Sequence, residues 1–325
     1  MPVSNTYPFL PGSIGRVFYV GDTDATLGIT ASDTGYGSPS DTNVTYGLDP
    51  FYPFATLAYC ITNAVVAGRG DTIYVVPGTA ISITTAAAIA LSKAGVRIVG
   101  MGDANSRPTI SWSGSTAATM TIAGAGVSLE NLNLDLTGID ELVVGIQVTG
   151  ADFKMKNCHV ICADSGGQCV TGMTLGTGAD RALFEDCTFL GDTANGTTDC
   201  KAIQITAAVL DCKWYRCYFN LIGGAGIGPV EFTAAALRVY FEDCHFENRV
   251  ASATTCVDCN ANAVTGAMKN CSLVLGTIAT AGSGIAPVTS TGQAAFIAMI
   301  ECYVVNDQDA TGAGEAGALV STAST

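Results

Sequence analysis

From Val127 to Val304 one arrangement of apolar and polar positions recurs along the chain. Seven segments carry it. They begin at Leu129-Glu130-Asn131-Leu132-Asn133-Leu134 and Met155-Lys156-Asn157-Cys158-His159-Val160. Phe184 to Phe189, Trp214 to Phe219, Phe241 to Phe246, Met268 to Leu273 and Met299 to Val304 follow. Measured from Leu132 through Cys158, Cys187, Cys217, Cys244, Cys271 and Cys302, the spacings are 26, 29, 30, 27, 27 and 31 residues. A period in this range marks a stacked repeat architecture. Within each segment apolar residues alternate with polar ones on both sides of a two-residue break, as in Val127/Leu129 before it and Leu132/Leu134 after it. That pattern predicts two short strands joined at a corner. The residue just before the ladder position is Asn131, Asn157, Asp186, Arg216, Asp243, Asn270 or Glu301. Asn and Asp are the non-glycine residues that best tolerate left-handed backbone, so a tight corner is expected there. The sixth repeat has Gly266 where the others carry an apolar residue, and its pattern is weaker on that side.

A third strand lies between successive segments: Gly145 to Thr149, Gly172 to Leu175, Ala202 to Thr206, Pro229 to Thr233 and Cys256 to Cys259, with a weak last copy beginning at Val288. Its flanking apolar residues are expected to point inward and its middle residue outward. Three short strands per repeat describe an all-β solenoid, a right-handed parallel β-helix. Earlier coils are read at Asp71 to Val76, Val96 to Val99, Pro108 to Ile110 and Met120 to Ile122. Roughly nine coils from residue 71 to 304 would stack over ~40 Å at the ~4.8 Å strand spacing.

The open ends of such a stack need covers. Leu57, Cys60, Ile61, Ala64 and Val65 fall at i, i+3, i+4, i+7 and i+8. That spacing predicts an amphipathic capping helix over Pro53–Ala67, with Gly68 at its end. Residues 1–50 read as an N-terminal arm or irregular cap, 51–304 as the β-helix with its capping helix, and 305–325 as a small, polar C-terminal tail. Neighbouring subunits are the expected anchor for both ends.

Two runs carry a family resemblance. Asp49-Pro50-Phe51-Tyr52-Pro53-Phe54-Ala55-Thr56-Leu57 is followed by Gly70-Asp71-Thr72-Ile73-Tyr74-Val75-Val76-Pro77-Gly78, and Gly95 to Gly100 by Arg107-Pro108-Thr109-Ile110. Together with the Asn-Cys and Asp-Cys corners, they resemble pectin-lyase-like β-helix proteins over about residues 49–304. The resemblance is specific for fold and not for function, because such folds host many activities. The short arm, the Thr/Ala/Gly-rich surface and an N-terminus without a signal pattern are most similar to bacteriophage virion proteins on this fold, either capsid decoration proteins or spikes.

Composition narrows the partners. Charged residues are 13% of the chain, hydrophobic residues 48%, and the net charge is −14 from 14 basic and 28 acidic residues. The charged share is about half the usual ~25%. An acidic chain without a Lys/Arg cluster is a poor match to phosphate backbones or anionic membranes, so neither nucleic acid nor membrane is an expected partner. Apolar stretches such as Ala86–Leu91 fall far short of the roughly 20 residues of a spanning helix. Met1-Pro2-Val3-Ser4-Asn5 has neither a basic nor an apolar leader region, so synthesis in the cytoplasm and reduced thiols are expected.

Candidate chemistry is sparse. The resemblance would imply, for pectate lyases, a calcium-binding carboxylate cluster with an Arg or Lys base. For polygalacturonases it would imply an Asp-Asp pair, a Gly-His-Gly and an Arg-Ile-Lys. The last three motifs do not occur in this sequence, and no lyase-like cluster is evident. No catalytic residue and no cofactor or metal are therefore expected. The outward ladder of the third strand, Gln147, Thr174, Gln204, Glu231 and Asp258, offers a glycan-binding stripe. Within it Glu231 and Asp258, on adjacent coils, could serve as a retaining acid/nucleophile pair, since such carboxyls stand ~5–5.5 Å apart. The plainer reading is a row of solvated polar side chains. Cys256-Val257-Asp258-Cys259 matches C-x-x-C but lacks a second ligand pair or a βαβ context. His159 and His245 each follow a ladder cysteine, three coils apart, and read as surface residues. The ladder cysteines read as stacked reduced thiols. Cys60, Cys162, Cys169 and Cys200 lie off the ladder and are the better disulfide candidates. Asn43-Val44-Thr45 and Asn195-Gly196-Thr197 match the glycosylation pattern by chance.

Two functions fit this sequence. The first is a non-enzymatic protein of a phage particle: a capsid decoration or cement protein at the virion surface, expected to be a homotrimer that binds the major capsid protein. The second is a tailspike-like glycan-binding or glycan-cleaving protein using the outward ladder. A cellular adhesin is a third possibility, but it would need an export signal.

Overall fold

The computed structural model describes residues 15–21, 40–42, 46–103, 106–164, 167–191, 200–221, 228–248, 255–260, 263–275, 288–289 and 296–306. The chain winds as a parallel β-solenoid with three sheets along its axis. The first sheet holds the strands that precede each Asn/Asp corner, such as Lys154–Lys156, Leu183–Glu185 and Lys213–Tyr215. The second holds those after it, such as His159–Ile161 and Thr188–Leu190. The third holds Ile146–Val148, Thr171–Leu175, Lys201–Ile205, Val230–Phe232 and Val257–Asp258. All paired strands are parallel and one coil apart. From Thr72 onward the first two sheets have nine rungs each along their main paths and the third has eight. That makes eight full coils and two strands of a ninth, slightly fewer than the period suggests.

Every expected corner residue lies in the left-handed region: Asn131, Asn157, Asp186, Arg216, Asp243, Asn270 and Glu301 have φ between 51° and 55°. Arg216 and Glu301 carry the steric cost of that backbone without the local hydrogen bonding that Asn and Asp offer. The ladder thiols follow from the corner. Cys158 donates to the Leu129 carbonyl (3.6 Å), Cys187 to Met155 (3.4 Å), Cys244 to Trp214 (3.5 Å), Cys271 to Phe241 (3.7 Å) and Cys302 to Met268 (3.4 Å). Each acceptor belongs to the preceding coil. A thiol is small enough for the inside of the bend and still offers a weak donor. All thirteen cysteines are free thiols, including the off-ladder disulfide candidates, and only Cys302 is not fully buried.

Aromatic rings stack along the axis inside the core. Phe184, Trp214 and Phe241 form one column, with centroids 5.4 and 4.5 Å apart. Phe189, Phe219 and Phe246 form another, at 4.9 and 4.8 Å and within 6° of parallel. Gly266 breaks the apolar pattern for a steric reason. The register shifts between Ala236 and Val239, and a side chain at Gly266 would collide with the Val239 carbonyl.

The N-terminal cover differs from the expected helix over residues 53–67. The helical part runs only from Leu57–Tyr59 through a wider π turn, Cys60–Ala64. Thr56 caps it by accepting from the Tyr59 N–H, and Val65 already has extended backbone. Lys93, from the first coil, explains the early end. Its ammonium donates to the carbonyls of Ile61 (2.7 Å), Thr62 (2.9 Å) and Val65 (2.7 Å) and satisfies the groups a longer helix would have paired. Within the segment read as an arm, Val17–Val20 forms a strand paired in parallel with Thr72–Val75. Asp71 pins this junction. Its buried carboxylate accepts from the backbone N–H groups of Arg16 and Val66 and from the Arg69 guanidinium. Most of the arm and nearly all of the tail lie outside the described residues, as do Asn43 and Asn195.

Candidate functional site

Pairing in the third sheet sets Gln147 beside Thr174, Thr174 beside Gln204, Gln204 beside Glu231, and Glu231 beside Asp258. The five candidates are thus one column on one face. They are not a uniformly open stripe. Gln147 is exposed, and Gln204 and Asp258 are partly so, whereas Thr174 and Glu231 are only 6% and 7% exposed.

Neighbouring groups engage the two carboxylates of the column. The Lys201 ammonium stands 3.3 Å from Glu231 Oε2, and the Gln204 amide donates to the same oxygen at 2.6 Å. Lys201 reaches it because Thr171 pairs with Lys201 on one side and Ile203 with Val230 on the other, so consecutive coils carry the lysine and the glutamate along one flank. Asp258 turns back on its own chain, where Oδ1 accepts from the Asn260 N–H at 2.8 Å. An acid/nucleophile pair needs one carboxyl able to donate a proton and the other open to the sugar. At Glu231, Oε2 is already engaged by the lysine and the amide.

A second polar feature lies on the outer face of the first sheet. Gly70, Gly95 and Gly126 stack at a corner with φ of 78°, 73° and 67°. These three glycine corners leave an open groove of about 630 Å³ beside Thr72, Arg97, Ser128, Glu130, Asp152 and Lys154. Arg97 donates twice to Glu130 (2.7 and 2.5 Å) and spans the groove from coil to coil. Arg181 holds the Asp152 carboxyl below its usual range against a smaller opposing effect of burial. Lys154 has no ion-pair or hydrogen-bond partner among the described residues. The cysteine period does not point to this groove, because its signal, glycine recurring at 70, 95 and 126, precedes the cysteine-marked coils.

Against known proteins, no family model matches and no curated protein is similar in sequence. Three solved structures show similarity. An alginate lyase from Paenibacillus sp. str. FPU-7 is 13% identical, over 76% of this chain and 95% of its own, with a TM-score of 0.31. A rhamnogalacturonan lyase is 16% identical, over 89% and 87%, with a TM-score of 0.35. ORF18 of Geobacillus virus E2 is 16% identical, over 75% and 56%, with a TM-score of 0.33. No activity passes from these proteins to this chain at such values.

The remaining candidates sort by burial. His245 stacks on Tyr218 at 5.0 Å and lies 4.0 Å from Glu247. His159 is on the same sheet face three coils away, and burial together with the Arg107 guanidinium holds its pKa below the usual range. Cys256 and Cys259 flank the strand Val257–Asp258, both buried, and burial raises the pKa of Cys259 to about 12. Cys162, Cys169 and Cys200 converge, with all three sulfurs within 4.8 Å of one another.

Proposed function

We propose that the chain is a non-enzymatic structural protein of a bacteriophage particle, a decoration protein that binds the major capsid protein as a homotrimer at the virion surface. The observation that carries the non-enzymatic reading is the closure of Glu231 by Lys201 and Gln204. It weighs against Glu231 as half of an acid/nucleophile pair on the outward ladder. Ion pairs between corner residues of adjacent coils support a passive, rigid role: Asp152 with Arg181, Asp186 with Arg216, and Asp211 with Arg238, each at 2.6 Å. These exposed pairs add little stability singly, but they leave the corners with matched charge. The low charge content fits a surface partly covered by other subunits.

Copy number in purified particles, by quantitative mass spectrometry, tests this function. Hundreds of copies per particle are expected. A handful to a few tens would move the protein to a tail or neck spike, and absence from the particle would refute the virion reading. Catalysis is tested separately. Incubation with host surface glycans is expected to give no cleavage. If cleavage occurs and the Glu231→Gln/Asp258→Asn double variant abolishes it, the non-enzymatic reading fails.

The open groove at Arg97, Glu130, Asp152 and Lys154 favours a second role, glycan binding without cleavage. A glycan array comparing the native protein with Lys154→Ala tests it. Binding that Lys154→Ala reduces supports the groove, and the absence of any bound glycan removes this role.

A further inference from the structure

Three thiols that play no part in the ladder come together where the second sheet gives way to the third. Ala163 and Gln168 form an antiparallel bridge, and the Cys169 N–H donates to the Cys162 carbonyl at 2.8 Å. This tight hairpin sets Cys162 and Cys169 side by side. Coil stacking brings the third thiol, because the Lys201 N–H donates to the Val170 carbonyl and so seats Cys200 over the hairpin. Cys169 Sγ and Cys200 Sγ are 3.7 Å apart, and no pair in the trio exceeds 4.8 Å. The exposures are 0%, 0% and 1%. Gly172 packs against the trio, and even a Cβ there would come 3.1 Å from Cys162 Sγ.

We infer that Cys162, Cys169 and Cys200 form a three-thiolate site for a thiophilic d¹⁰ cation such as Zn²⁺, Cd²⁺ or Cu⁺. The centre of an equilateral triangle lies one edge divided by √3 from each corner. Edges of 3.7 to 4.8 Å place that centre roughly 2.1 to 2.8 Å from each sulfur, which brackets the ~2.3 Å zinc–thiolate bond. Soft sulfur ligands select such ions over calcium, magnesium or manganese. On binding, three S–H bonds break, three sulfur–metal bonds form, and three protons leave to solvent. No electron is transferred. The ladder thiols differ in arrangement, since they rise in a single column, and five of them, Cys158, Cys187, Cys244, Cys271 and Cys302, donate to carbonyls of the preceding coil.

The test uses the full-length protein, purified reduced and freed of metal, and titrated with Cd²⁺. The expected result is a thiolate-to-cadmium charge-transfer absorption that saturates at one ion per chain. X-ray absorption of the native protein should show a first shell of three sulfurs. Cys162→Ala, Cys169→Ala and Cys200→Ala should each abolish the absorption at equimolar cadmium, while Cys217→Ala, in the ladder, should leave it intact. The native measurement does not depend on any variant folding. An oxygen- or nitrogen-dominated shell, absence of the charge-transfer band, or a band abolished by Cys217→Ala would overturn the proposal. So would a Cys169–Cys200 disulfide in the protein purified under reducing conditions, read as a mass two hydrogens lower.

Discussion

The two columns of stacked rings make a quantitative claim about energy flow in this fold. A solenoid is nearly one-dimensional, so each coil's stability rests on its own contacts and on those with its two neighbours. Phe219 lies between Phe189 and Phe246, at 4.9 and 4.8 Å and almost parallel to both, and all three rings are fully buried. Phe219→Ala should cost about 3–5 kcal/mol, as large-to-small core changes do. Part of that cost belongs to ring pairs, each worth about 0.5–1.5 kcal/mol beyond buried area. A double-mutant cycle separates the parts. Phe189 and Phe219 touch, so their alanine variants should couple by about 0.5–1.5 kcal/mol. Phe189 and Phe246 are two coils apart, at about 9.7 Å if the two spacings are added along one axis (4.9 + 4.8). Their variants should add to within about 0.5 kcal/mol. The assay is urea unfolding of the four proteins in each cycle, with Leu237→Ala, at a 40% exposed position, as a near-neutral control. Coupling between Phe189 and Phe246 as large as that between Phe189 and Phe219 would refute the nearest-neighbour picture.

Other outcomes follow from particular residues. Asn270→Val should destabilise the protein by about 1–2 kcal/mol relative to Asn270→Gly, because only the glycine relieves the left-handed corner; matched thermal melts would show it. Asp71→Asn should cost about 3 kcal/mol at neutral pH by breaking a buried, paired charge. Burial opposes charge on Asp71, but Arg69 and the backbone N–H groups of Val66 and Arg16 outweigh it and hold the carboxyl below its usual range. A depressed folded pKa stabilises above the unfolded value of ~3.9 and is lost as pH falls through the folded one. The gap between native protein and Asp71→Asn should therefore shrink in acid, and a gap that widens would contradict the assignment. In the metal-free folded protein a thiol-reactive dye should label Cys302 first, since the other twelve thiols are buried and burial raises Cys60 to about 12 and Cys212 to about 11. Rapid labelling of several thiols before unfolding would count against the packed ladder.

Much of the architecture was legible because a stacked fold writes itself into a period. One residue type recurs wherever one backbone geometry recurs, so Asn131, Asn157, Asp186, Asp243 and Asn270 marked corners that all proved left-handed. Arg216 and Glu301 were found by position in the repeat, since their chemistry alone would not suggest that backbone. The candidate ladder Gln147, Thr174, Gln204, Glu231 and Asp258 was legible for the same reason, as register follows from alternation.

What alternation cannot carry is the reach of long side chains between coils. Lys93 ends the capping helix from 28 residues beyond Val65, and Lys201 closes over Glu231 from the coil before. Neither contact leaves a local pattern, because each depends on which outward positions the winding superimposes. The same holds for Cys162, Cys169 and Cys200. Their spacing matches no familiar ligand motif, and they meet because a hairpin folds two of them together and the rise of one coil delivers the third. The sequence by itself determined the strands, corners and inward faces, since each is a short-range consequence of period and residue type. Only the tertiary structure decided which polar and sulfur-bearing groups are neighbours, because that is set by distances across coils some thirty residues apart.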